Sequence, residues 1–262
     1  MAEQEKITFS FGKNWQNLLK VVDEDDFKSS LADLDRWFKG RVVLEGKDII
    51  DIGSGSGMHS LMLNTYKPNK LFSFDYDKNS VAATTSLWEK AGKPSNWSVE
   101  HGSALDKDYM SKLGKFDLVY SWGVLHHTGS MWDAIANASE LVKPNGHLLI
   151  SIYQGIETYN YDLFVKKKYN RVGWLYKKWM EWNLFIWPEM KKRYREKKNP
   201  FGWNEKRGRG MNVYHDIVDW LGGLPYEVAS DTQIINFLEP KGFTFIEKDM
   251  SEACGTYLFV KK

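Results

Sequence analysis

The sequence predicts a doubly wound α/β domain of seven strands in one mostly parallel sheet, with one antiparallel strand, N-terminal helices and a helical insertion or cap. Three observations predict it. Short apolar runs alternate with helical patterns from Lys47 to Tyr153, which is the rhythm of βαβ units. Two strand-like runs near the C-terminus follow one another with no helix between them, so one pair is antiparallel. The composition changes sharply from Lys166 to Arg209, which marks an insertion into a more regular scaffold.

In chain order, "KNWQNLLK" and "LADLDRWFKG" within residues 1–40 read as leading helices able to fold over the sheet. "DIIDI" is a buried strand that runs into Gly53, Gly55 and Gly57 and then a helix. "KLFSFD" is the second strand, and "NSVAATTSLWEKAG" a helix ended by Gly92. "WSVEHGSALD" reads as a strand and loop, and "KFDLVYSWG" as the fourth strand. "MWDAIANASELVKPNG" predicts a helix that stops at Pro144 and Gly146, followed by the strand "HLLISIY". The charged, Trp-rich segment continues as helices, and "GFTFIEKDM" and "GTYLFVKK" are the final two strands.

A chain of 262 residues buries a full core. Its 42% hydrophobic and 27% charged residues are ordinary, whereas 15% aromatic residues with 12 Trp are not. The net charge of +2 conceals a division: Lys166 to Arg209 holds 15 Lys and Arg against four acids, a balance of +11, and the remainder carries −9. Five tryptophans fall in that segment: Trp174, Trp179, Trp182, Trp187 and Trp203. Cys254 is the single cysteine, which excludes an intramolecular disulfide or a multi-cysteine metal site and suits a reducing compartment. No run approaches the ~20 apolar residues of a membrane span, and the polar, acidic start is unlike a signal peptide. The expectation is a cytoplasmic enzyme.

The strand–glycine–helix passage "KDIIDIGSGSGMHSLML" decides the ligand class. A dinucleotide site needs G-x-G-x-x-G, with the helix N-terminus on a pyrophosphate. Here the pattern is D-x-G-x-G-x-G, with the acid Asp51 at the strand end, which suits a ligand bearing an amine and a carboxylate. From Lys47 to Tyr153 the chain resembles the class I S-adenosylmethionine (SAM) methyltransferases, which implies a Rossmann-like fold and SAM as cofactor. The resemblance places Asp51 by the ligand's amino group, and Gly53, Ser54, Gly55 and Gly57 along its methionine and ribose parts. Asp75, with Tyr76 beside it, follows about 20 residues on, where a carboxylate accepts from both ribose hydroxyls. Ser103, Ala104 and Leu105 would flank the adenine, and Ser121, Trp122 and Gly123 would lie beside the sulfonium. In "FSFGKNW", Gly12, Asn14 and Trp15 would form a lid. The chain then divides into N-terminal helices or lid (1–40), SAM-binding core (41–155), basic Trp-rich cap (156–210) and C-terminal core (211–262).

Methyl transfer from a sulfonium needs alignment and a route for the acceptor's proton. His126 and His127 leave the fourth strand at the carboxyl edge, where open α/β sheets bind ligands, and either could be the base. "RGRGMNVYHDIVDWLGG" supplies a second cluster, with His215 as a further candidate base and Arg209, Tyr214 and Asp216 as substrate residues. Tyr153 and Trp182 join them as candidate substrate contacts. The run "YHDIVDWLGGLPYEVAS" resembles a bacterial branch of small-molecule methyltransferases, many acting on sugars or surface glycans. No metal is expected, since no paired acids follow the fourth strand.

Three functions fit these observations. The first is O-methylation of a small polar acceptor, a sugar or nucleotide-linked sugar hydroxyl, with Trp and Tyr stacking on the ring and Lys and Arg holding phosphates. The second is an RNA methyltransferase, or one acting on a lipid or quinone, that uses the basic aromatic cap. The absence of a recognisable RNA module and of an "NPPY"-type tetrapeptide weighs against RNA. The third is a non-catalytic SAM-fold protein whose cap contacts a partner or membrane surface.

Overall fold

The computed structural model describes residues 24–201, 213–251 and 254–262. A seven-stranded sheet runs through it in the order β3-β2-β1-β4-β5-β7-β6. The strands are β1 (Asp48–Ile52), β2 (Lys70–Asp75), β3 (Trp97–His101), β4 (Phe116–Trp122), β5 (Val142–Tyr153), β6 (Phe243–Ser251) and β7 (Cys254–Lys261). The pairs from β3 to β5 are parallel, whereas β7 runs antiparallel to both β5 and β6. This is the predicted seven-stranded sheet with one reversed strand.

The inner strands read as continuous apolar runs because helices cover both faces. Ile50 and Ile52 of β1 face one side, with Val119 of β4, against α4 (Lys107–Lys112), α5 (Met131–Glu140) and α10 (Asp231–Leu238). Ile49 faces the other side, against Leu34, Trp37 and Phe38 of α1 (Glu24–Phe38) and Met62 and Leu63 of α2 (Met58–Thr65). Helix α3 (Lys78–Lys90) begins on an Asp77 cap, whose carboxylate accepts from Asn79 N–H at 2.9 Å. Each fully buried Ile or Leu contributes roughly 1.5–3 kcal/mol, so the alternating faces fix the register.

One boundary differs from the sequence expectation. Helix α5 ends at Glu140, and β5 already begins at Val142, ahead of Pro144 and Gly146. Val142 pairs with Phe116, a register shift follows between Phe116 and Leu118, and Asn145 adopts a left-handed φ of 59°. The Pro-Asn-Gly run thus makes an irregularity inside the strand rather than a turn before it.

The insertion forms a small core of its own. Helix α6 (Tyr159–Arg171) supplies Val165 and Tyr169 to it, helix α7 (Trp174–Glu181) Met180, and a π-helical turn (Trp182–Ile186) packs Leu184, Phe185 and Ile186 against them before α8 (Trp187–Arg195). Ile217 and Leu221 of α9 (Val213–Gly222) complete it, so α9 packs with the cap. At its centre the buried Glu181 accepts from Tyr169 at 2.7 Å, Lys178 at 2.8 Å and Tyr214 at 3.0 Å. Among the described residues no helix is long and apolar enough to cross a membrane.

Candidate active site

The sheet order reverses between β1 and β4, and at such a switch point open α/β sheets bind ligands at the carboxyl ends of their strands. Gly53, Gly55 and Gly57 all have left-handed φ, at 79°, 56° and 83°. A Cβ at Gly53 would lie 2.3 Å from Val124, on the loop leaving β4. One at Gly57 would lie 2.9 Å from the Thr84 backbone, so Gly57 lets α2 and α3 approach closely. Ser54 turns toward α3, since its hydroxyl pairs with Thr84 at 2.9 Å.

Two carboxylates stand at the adjoining strand ends. Asp75 accepts from Gly55 N–H at 2.9 Å and from Asp77 N–H at 2.8 Å, which ties the glycine turn to the end of β2. It keeps an accessible edge, yet burial pushes it up to about 6 against the pull of those two amides. Asp51 is fully enclosed, and burial, with Asp75 nearby, pushes it up to about 7. A chain of donors ends on it: Trp97 Nε1 to Ser73 Oγ (2.9 Å), Ser73 to Ser60 (2.8 Å), and Ser60 to Asp51 Oδ2 (2.5 Å). Each donor polarises the next, so the chain orients the carboxylate and favours its ionised form.

The other expected cofactor residues sit around this switch point in varied ways. Tyr76 is exposed and stacks on His101. Ser103 accepts from Leu105 N–H at 3.2 Å, and the Ala104 carbonyl accepts from Asn137 at 2.8 Å, which fixes the loop after β3. Ser121 is buried, donating to the Ile52 carbonyl at 2.9 Å, and Trp122 stacks on Tyr120 and meets His59 edge-on. Gly123, with φ of 73°, turns the chain out of β4. Trp15, with the rest of the expected lid, lies outside the described residues.

Beyond Gly123 the two histidines take different positions. His126 is fully buried and its Nδ1 accepts from the Tyr153 backbone N–H at 3.2 Å, which binds the β4 exit to the end of β5. His127 keeps an accessible edge, and its Nδ1 donates to the Pro225 carbonyl at 2.6 Å, so its Nε2 carries the lone pair. Burial, reinforced by the nearby Lys166 ammonium, lowers its pKa to about 3, which keeps it neutral. Gly223 packs against the same ring, where a Cβ would come within 2.9 Å of Cε1. The run "WLGGLPYE" therefore wraps His127. From its end, Glu227 N–H bonds the His126 carbonyl at 3.1 Å, and the Glu227 carboxylate accepts from Met131 N–H at 3.0 Å, at the start of α5.

Tyr153 joins this group, with its ring centroid 4.1 Å from His126 and 5.5 Å from Tyr226. Lys166 of α6, which the sequence offers only as one member of a charge run, is fully buried here. Its ammonium donates to the Trp220 carbonyl at the C-terminal end of α9 and lies 4.2 Å from the Trp220 ring and 4.6 Å from that of Tyr226. Burial lowers its pKa to about 7. Tyr214 is engaged within the cap through Glu181, and Trp182 is 48% exposed on the face opposite buried Met180. Arg209 lies outside the described residues. His215 and Asp216 fall on α9, and their side chains lie outside the described part.

A left-handed glycine turn between two strand-end carboxylates at the switch point of a 3-2-1-4-5-7-6 sheet defines a class I SAM-dependent methyltransferase fold. A family model described as a methyltransferase domain matches residues 31–211, and the chain belongs to that family. Magnesium protoporphyrin IX methyltransferase from Synechocystis PCC 6803, solved with bound S-adenosylhomocysteine, superposes with a TM-score of 0.57 at 14% identity, covering 95% of this chain and 94% of that one. The N-methyltransferase NodS from Bradyrhizobium japonicum, also with S-adenosylhomocysteine, gives 0.51 at 15% identity over 95% and 98% of the two chains. At these identities the likeness is one of fold. Among curated proteins, a tRNA U34 carboxymethyltransferase from Idiomarina loihiensis is 28% identical over 125 residues, 44% of this chain and 36% of its own length. A protein of the same name from Methylococcus capsulatus is 26% identical over 107 residues, 41% of this chain and 32% of its own. The chain thus spans about a third of the length of these relatives. The cofactor is SAM, and the glycine turn with a carboxylate on either side fits its amine and ribose.

Proposed function

We propose that the protein methylates a hydroxyl of a small polar acceptor, a sugar or nucleotide-linked sugar of a surface glycan, with His127 receiving the hydroxyl proton. The observation that carries this reading is the tautomer of His127, whose Nδ1–H is committed to the Pro225 carbonyl, so that Nε2 is the basic nitrogen of the ring. SAM supplies the methyl group on a sulfonium and leaves as S-adenosylhomocysteine. The chain's own residues do the rest. Asp51 and Asp75 hold the cofactor, His127 Nε2 orients the hydroxyl and takes its proton as the O–CH₃ bond forms and S–CH₃ breaks, and Tyr153 offers a ring edge to a pyranose. Lys166 and the buried surroundings disfavour the imidazolium, so the proton passes on to solvent rather than resting on His127. His126 serves better as a tie than as a base, because its Nδ1 already accepts from the backbone of β5.

An RNA acceptor is the second reading, favoured by the similarity to tRNA U34 carboxymethyltransferases and by the basic cap. Isotope-labelled SAM offered with nucleotide-linked sugars, small phenols, quinones or total tRNA separates the two by mass spectrometry. Label on a sugar hydroxyl supports the proposal; label confined to tRNA overturns it.

A further inference from the structure

The helix from Trp174 to Arg195 is unbroken, since the π turn joins α7 directly to α8. Its inner face carries Met180, Leu184 and Phe185 into the cap's core. Its other face is apolar as well. Leu175, Trp179, Trp182 and Trp187 are 75%, 54%, 48% and 45% exposed. Residues 175 and 179 stand one turn apart, as do 179 and 182. In a regular α-helix Trp187, five residues past Trp182, would rotate off that line by about 140°. The π turn removes most of the drift, because Trp187 N–H bonds the Trp182 carbonyl and a five-residue turn brings the second indole back above the first. The result is one row of large apolar side chains, roughly 18 Å long at 1.5 Å per residue.

Cations flank the row. Lys191 reaches over the Trp187 ring at 4.9 Å and Lys168 over Tyr176 at 5.0 Å. We propose that this face docks on an anionic lipid bilayer, with Leu175 and the indoles at headgroup depth and the Lys and Arg heads among the lipid phosphates. Indole rings beside long cationic side chains are the combination a bilayer interface stabilises. Charge complementarity selects the occupant. A second copy would set one +11 segment against another, whereas an anionic surface neutralises it. RNA would pair with the cations but gains nothing from Leu175, the most exposed residue of the row, and a close-set row of indoles leaves few faces open for base stacking.

The test is flotation of the full chain with vesicles of phosphatidylcholine alone or with phosphatidylglycerol added, followed also by tryptophan emission. We expect binding to the phosphatidylglycerol vesicles only, a blue shift on binding, and weakening by salt. Trp179→Ser combined with Trp182→Ser should lower the partition coefficient at least tenfold while leaving SAM affinity and the circular dichroism spectrum unchanged. No binding to either vesicle overturns the proposal, as does equal binding by the double variant. Salt-sensitive binding to tRNA that depends on the two tryptophans, with vesicles ignored, transfers the face to RNA and also overturns it.

Discussion

Replacing Lys166 with methionine tests whether a charge is truly held beneath the acceptor side of the site. Lys166 is fully buried, and its pKa falls from 10.5 to about 7 because burial penalises the ammonium, with Asp162 and Asp219 opposing the fall. Between those two values the unfolded chain holds a proton that the folded chain has released. Stability from this group therefore rises with pH from about 7 to about 10.5. By linkage, the wild-type protein should gain about 2–3 kcal/mol between about pH 6.5 and pH 9 from this residue alone. Lys166→Met keeps the length of the apolar stem and removes the titration. It also strips the Trp220 carbonyl of its donor, a cost of about 1–3 kcal/mol that is independent of pH. Urea unfolding of both proteins at the two pH values isolates the effect, because Lys166 is not among the groups that shift Asp51 or Asp75, and His127, held down chiefly by burial, stays neutral in both. The wild-type minus variant difference should change by about 2–3 kcal/mol across the interval. Parallel profiles would mean that the ammonium is solvated and that the enclosed cluster of His127, Lys166, Trp220 and Tyr226 is misread.

Two further predictions concern the chemistry. His127→Gln should lower kcat by about 10², the lower end for a positioned base, because a group whose pKa is pushed down to about 3 is a weak one. SAM affinity should stay as it was, and the wild-type rate profile should show no inflection from this residue near pH 6.5; steady-state kinetics across pH check both. Asp51 and Asp75, raised by burial to about 7 and about 6, must ionise to meet the cofactor's ammonium and ribose hydroxyls. The affinity for S-adenosylhomocysteine should then rise with pH and level off above about 7, with a loss of about tenfold or more at pH 5.5, since one pKa unit is worth about 1.4 kcal/mol. Calorimetric titration at the two pH values measures it, and a flat profile would count against either acid touching the ligand.

The proposed cofactor half of the site is legible in the sequence as a geometric cluster because its parts are local. Asp51, the glycines and Asp75 fall within 25 residues, and the apolar runs that frame them are strands buried on both faces. Where a signal has two physical meanings, reading it along the chain fails. Pro144 and Gly146 look like a turn, yet Val142 already pairs with Phe116 and the strand absorbs the irregularity. Helix α10 passes unremarked, although Ser230 and Gln233 form a capping box at its start. The acceptor half is long-range. Pro225 meets His127 across 98 positions, and Trp220 meets Lys166 across 54. Only the folded chain separates His126, tied to β5, from His127, tied through Nδ1 to Pro225. Lys166 is invisible in sequence for the same reason, being one base in a run of fifteen whose burial depends on α9.

The most direct measurement is calorimetric titration of S-adenosylhomocysteine into the wild-type protein and into Asp75→Asn. In the proposed placement of the cofactor, the carboxylate that bridges Gly55 and Asp77 accepts from the ribose, and a charge-assisted bond of this kind is worth about 1.5–3 kcal/mol. Asp75→Asn keeps the shape and loses the charge, so its affinity should fall at least tenfold, with the circular dichroism spectrum unchanged. Equal affinities in the two proteins would contradict the placement of the cofactor between the glycine turn and β2.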